Sequence, residues 1–179
     1  QSDVIIDVKA VPTAAITPNK MYIIYSQTLK QQPYNRALLQ AMLANNIEMY
    51  DHETITRPNG ARIIGFGRYA GLVGAYNGFR ALGLRDGLFD LPKVEHLPDL
   101  DGVKAALDTI TLPPIKIVLS GTGKVAKGAK EILDHLNIPE VSDAVYLTSE
   151  FTQAVYCMID VMEYNKRQDG KAGNKNEFF

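Results

Sequence analysis

The chain of 179 residues has a single cysteine and no tryptophan. One thiol cannot form an internal disulfide, so a disulfide-stapled secreted scaffold is excluded. Cys157 sits in the apolar run "AVYCMID" and reads as a small buried core residue in a reducing compartment. No apolar run approaches the roughly 20 residues of a membrane-spanning helix, and no signal-peptide pattern opens the chain. The formal net charge is −1, which supplies no basic field for nucleic acid or for an anionic membrane surface. The three histidines, His52, His96 and His135, are scattered without metal-ligand spacing, so no metal site is expected. These absences leave a globular protein, expected in the cytoplasm, and nothing in them excludes an oligomer.

Apolar residues at 46% and charged ones at 22% are enough for a packed core. Strand-like runs occur at "VIIDVK" (4–9), "MYIIYS" (21–26), "IEMYD" (47–51) and "RIIGFG" (62–67). Between them "YNRALLQAMLANN" has the apolar spacing of an amphipathic helix, and "ITRPNGA" (55–61) carries Pro-Asn-Gly turn chemistry. A second helix is expected over 68–84, with Gly71, Gly74 and Gly78 on one stripe. Each glycine costs a helix about 1 kcal/mol, so the stripe implies either close backbone approach to a neighbour or a frayed helix. Residues 86–100, rich in Pro, Asp and Gly, read as a linker, followed by a short helix at "DGVKAALDTI". The expected layout is α/β: a unit over 1–85, a crossing segment over 86–114, and the opening of a second unit over 115–179.

That second unit opens with "IKIVLSGTGKVAKGAKEIL", a strand, a glycine turn and a helix. A P-loop is excluded by spacing: the first glycine would fall at Val118 and the magnesium-binding hydroxyl at Val125. The run from Gly121 to Ala126 does fit G-x-G-x-x-G/A between a strand and a helix. Gly121 permits the tight turn, Gly123 lets a pyrophosphate approach bare backbone, and Ala126 keeps the helix close to the strand. Lys124 opens the helix, whose N-terminus offers unpaired N–H groups to an anion. An acid is then expected at the end of the next strand. That strand reads as "AVYLTSE", which puts Leu147 in the acid's place. A tight turn with no ligand therefore stays open as the alternative.

In the first half, Lys9 stands at a strand end before a Pro-containing loop, and "YSQTLKQQP" brings Ser26, Gln27, Lys30 and Gln32 to the end of the next strand. Ligands bind at such carboxyl ends in α/β proteins, although an individual lysine is commonly a solvated surface charge. Glu53 and Arg62 flank the following turn, where they could pair with each other.

The stretches "VKAVP", "QTLKQQPYNRALLQAML", "YDHE", "ARIIGFGRYAGLVGAYNGFRALG" and "IKIVLSGTGKVAKGAKEILDHLNIPEV" resemble the alanine dehydrogenase and saccharopine dehydrogenase (NAD, L-lysine-forming) group. The resemblance is closer to the saccharopine branch. It implies part of a flavodoxin-like catalytic domain, then the first part of a Rossmann NAD-binding domain, with the chemistry in a cleft between the two. It implies Lys9 as the catalytic lysine, Gln32, Arg62 and Phe66 as substrate contacts, and Glu53 as an acidic site residue. Gly123 and Lys124 would meet the pyrophosphate of NAD, and NADP stays open as the alternative cofactor. The implied reaction oxidises a C–N bond of an amino-acid substrate by hydride transfer to nicotinamide.

Four positions depart from the group's pattern. Ala10 stands where it has a glutamate, Gln27 where it has a catalytic histidine, Ala61 for an arginine near the nucleotide, and Leu147 for the ribose acid. An amide cannot exchange a proton near neutral pH. Two functional readings follow: an NAD(P)-dependent amino-acid dehydrogenase, or a non-catalytic, sensor-like dinucleotide-binding relative. The chain enters a strand almost at once and holds too few strands for a whole Rossmann domain. It is therefore expected to be a fragment that is inactive alone.

Overall fold

A computed structural model describes residues 2–175. The chain forms two compact units, 1–65 and 66–179.

The first unit is a three-stranded parallel sheet in the order β1 (Val4–Ile6), β2 (Met21–Ile24), β3 (Glu48–Asp51). The register pairs Met21 with both Val4 and Glu48. Side chains alternate across a strand, so the central strand β2 buries Tyr22 and Ile24 on one face. Helix α1 (Arg36–Ala44) covers that face with Leu38 and Met42, four residues apart and therefore on one side of the helix. The buried Tyr22 hydroxyl accepts a hydrogen bond from the Thr17 backbone N–H at 2.9 Å, which satisfies its polar end.

The expected strand over 62–67 does not form. Only an isolated antiparallel bridge joins Arg62 to Thr56. The Pro-Asn-Gly turn closes there, with Arg57 N–H donating to the Ala61 carbonyl at 2.8 Å, and Phe66 already caps the next helix.

That helix, α2 (Gly67–Asp86), is longer than expected and packs on α4 (Lys124–His135). Two glycines set the approach. A methyl group at Gly71 would lie 1.9 Å from the Val125 carbonyl oxygen, and one at Gly128 would lie 2.0 Å from that of Arg68. The helices therefore touch backbone to backbone. Gly74 and Gly78 face open space, so only Gly71 of the stripe serves this contact. Arg68 clamps the crossing with two hydrogen bonds to Glu131, at 2.7 and 2.6 Å.

By compactness α2 falls in the second unit, ahead of the expected division at residue 85. The stretch 86–114 is likewise part of that unit's core, because Leu91, Val103 and Leu107 are buried in it beside Tyr76, Ile132 and Tyr156. Each such aliphatic side chain contributes about 1.5–3 kcal/mol on full burial. Helix α3 (Leu100–Leu107) starts where Asp99 accepts from the Gly102 N–H at 2.9 Å. Tyr156 keeps its buried hydroxyl satisfied by accepting from Lys130 at 2.5 Å and donating to Glu140 at 2.8 Å.

A second correction concerns the strand after the glycine turn. "AVYLTSE" is helix α5 (Asp143–Thr148), started by Ser142, whose hydroxyl accepts from the Val145 N–H. The strand that pairs in parallel with β4 (Lys116–Ser120) is β5 (Val155–Ile159), the run containing the buried Cys157. A short helix, α6 (Val161–Tyr164), follows. No helix among the described residues is long and apolar enough to cross a membrane.

Candidate dinucleotide site and carboxylate cluster

In the second unit, β4 runs into Gly121, whose φ of +91° favours a residue without a side chain. The Gly121 N–H donates to the Ile159 carbonyl at 2.7 Å, carrying the ladder to the last residue of β5. Thr122 then donates its hydroxyl proton to Asp160 Oδ2 at 2.7 Å. Gly123 caps α4, and no atom lies within 4 Å of a methyl group placed there. The amides at the start of α4 are thus approachable. Lys124 is the exposed first residue of that helix, and Ala126, buried, lies in its first turn.

Asp160 was not expected from the sequence. Once β5 replaces the assumed strand, the residue immediately after the strand that neighbours the turn is an acid, Asp160. Leu147 itself is an exposed helical residue. The Asp160 carboxyl is held down to about 2, first by a hydrogen bond from Lys175 and then by Thr122. Lys175 Nζ lies 2.5 Å from Asp160 Oδ2 and 3.1 Å from Thr122 Oγ1.

In the first unit, a polar cluster gathers at the carboxyl ends of β2 and β3. Asp51, Ser26, His52 and Glu53 are all buried. Asp51 accepts from the Ser26 hydroxyl and from the Glu53 N–H. Ser26 has one proton and gives it to Asp51, so the contact with Thr28 Oγ1 at 2.8 Å has Thr28 as donor. His52 Nε2 lies 3.1 Å from the Asp7 carbonyl, which can only accept, so Nε2 carries a proton; Nδ1 is buried with no hydrogen-bond partner among the described residues.

Glu53 is 4% exposed. It lies 2.9 Å from Arg62 Nη1 and 3.4 Å from Lys30 Nζ, yet neither of its oxygens receives a directed hydrogen bond. The distances make these ion pairs; the N–H directions do not point at the oxygens. Glu53 and Arg62 thus do pair across the turn.

The remaining sequence-derived residues are less gathered. Lys9 follows β1 with its side chain exposed, and its N–H donates to Asp7 Oδ1 at 3.3 Å. Gln27 has a left-handed backbone, φ 57°, and its carbonyl accepts from Asn35 Nδ2 at 3.1 Å. Gln32 accepts from the Tyr34 hydroxyl through its amide oxygen. Phe66, half-exposed, stands at the start of α2 in the other unit. Among the described residues there is no group of three or more His, Cys, Asp or Glu placed to hold a metal ion.

The chain is 30% identical over 154 residues to alpha-aminoadipic semialdehyde synthase, mitochondrial, of Bos taurus, a match over 74% of the chain. It is also 30% identical over 135 residues, 66% of its length, to saccharopine dehydrogenase [NAD(+), L-lysine-forming] of Candida glabrata. The chain is a homologue of the saccharopine dehydrogenase family. The matches span only 16% of the bovine protein and 35% of the yeast one. A solved L-alanine dehydrogenase shares the fold, with a TM-score of 0.51 at 14% identity, over 88% of this chain and 42% of that one. No protein-family model matches the chain.

Proposed function

We propose that this chain forms part of an NAD-dependent amino-acid dehydrogenase that oxidises a C–N bond, and that its glycine turn binds the dinucleotide. The observation that carries the reading is the meeting of Thr122 with Asp160: a G-x-G turn and an acid at the end of the adjoining parallel strand. The open space at Gly123 admits a pyrophosphate against the amides that begin α4. Asp160 accepts from the ribose hydroxyls, which favours NAD over NADP, since a carboxylate repels a 2′-phosphate. Bound nicotinamide supplies the hydride acceptor.

The chain's other residues handle substrate and protons. Lys9 Nζ is the candidate base, exposed at a strand end. Arg62 holds a substrate carboxylate through N–H groups not turned toward Glu53, while the buried Glu53 fixes the guanidinium. Gln32 contacts the remainder of the substrate. Gln27, at the position of the family's histidine, cannot exchange a proton. That residue and Ala10 favour a second reading, in which the fold binds a dinucleotide without turning over. A cytoplasmic location belongs to the same proposal, against the mitochondrial one in the bovine relative's name.

Calorimetric titration of NAD into the full-length protein and its Asp160→Asn variant tests the site. Loss of a charged acceptor is expected to weaken binding by about tenfold or more. Equal affinities, or no binding to the wild type, would remove the turn from the proposal. NADH formation by the full-length protein with saccharopine, alanine or lysine as substrate separates dehydrogenase from sensor.

A further inference from the structure

The carboxylate that would receive the ribose is already engaged. Asp160 Oδ2 accepts from Thr122 Oγ1 at 2.7 Å and from Lys175 Nζ at 2.5 Å, while Oδ1 takes the Met162 N–H at 3.4 Å. A carboxylate oxygen offers about two acceptor sites, so both sites on Oδ2 are in use. Lys175 also reaches Thr122 at 3.1 Å and therefore spans the glycine turn and the acid at once. The segment that delivers it is basic: Lys166, Arg167, Lys171 and Lys175 stand against one acid, Asp169, which pairs with Arg167.

Resting on the reading of the turn as a dinucleotide site, we propose that Lys175 sets the preference of this site between NAD and NADP. A ribose 2′-hydroxyl approaching Oδ2 meets the ammonium in its acceptor position and is left with Oδ1 alone, so Lys175 competes with NAD. A 2′-phosphate is repelled by a bare Asp160 but attracted by an ammonium that neutralises it, so the same lysine favours NADP. The proposal accounts for two features together: an acid that by itself selects NAD, and a cation placed directly on it.

Dissociation constants for NAD and NADP, measured by calorimetry on the full-length protein and its Lys175→Met and Lys175→Arg variants, test this. Lys175→Met is expected to tighten NAD by about threefold and weaken NADP by about tenfold, whereas Lys175→Arg keeps the wild-type ratio. A wild type that binds NAD, with a ratio unchanged in Lys175→Met, overturns the role of Lys175 and leaves the dinucleotide site standing. A wild type that binds neither cofactor overturns both.

Discussion

Asp160 shows what a single side chain contributes at this site. Its carboxyl titrates at about 2 in the folded chain, against an ordinary value of 3.8. A depressed carboxylate contributes stability that is fully present above the unfolded value and is lost as pH falls through the folded one. Asp160→Asn is therefore expected to be less stable than wild type at about pH 6, with the difference closing between about pH 4 and pH 2. Chemical denaturation across that range checks it; a difference that stays constant would mean the carboxylate charge is not involved. Glu53 raises the opposite problem, a buried charge held by two half-exposed cations. Arg62→Met is expected to cost about 1–3 kcal/mol by leaving that carboxylate under-partnered. Adding Glu53→Gln should recover part of the loss, and a double-mutant cycle with no coupling would contradict the pairing.

Among the elements, the α2–α4 crossing has the sharpest consequence. Gly71→Ala and Gly128→Ala each push a methyl group into facing backbone. Overpacking of this kind costs about 1–3 kcal/mol, or more where backbone must move. Gly74→Ala, in open space on the same helix, should stabilise by about 0.5–1 kcal/mol through helix propensity. Thermal melts of the three variants test the contrast; similar shifts at Gly71 and Gly74 would contradict the crossing. Glycine spacing made close approach legible in the sequence but not which glycine is used, because that depends on the partner helix. Strand β5 was missed for a related reason. "AVYLTSE" and "AVYCMID" are both short apolar runs, and periodicity alone cannot tell a strand from a helix turn at that length. Ser142 capping α5, and the pairing of Val118 with Cys157, decide the matter only in three dimensions.

At the scale of the whole molecule, the two units have separate buried clusters, one around Tyr22 and Ile24 and one around Tyr76 and Ile132. Leu38→Ala and Leu107→Ala should each cost about 2–5 kcal/mol, each in the unfolding of its own unit. Hydrogen exchange resolved by residue would show it, and a loss of protection spread equally over both units would argue for one cooperative core. In a full-length, active protein, Lys9→Met is expected to lower kcat by about a hundredfold, the scale of a general base; an unchanged kcat would remove Lys9 from the chemistry.

The sequence by itself determined the α/β class, the glycine turn, the absence of a P-loop and the family resemblance. All of these rest on local spacing, and local spacing survives in one dimension. The tertiary structure alone decided that Asp160 meets the turn, that Lys175 covers Asp160, and that α2 packs on α4. The first and last of these join residues far apart in the chain, brought within reach only by the pairing of β5 with β4 and by the packing of facing backbones, while Lys175 returns to Asp160 from 15 residues further on.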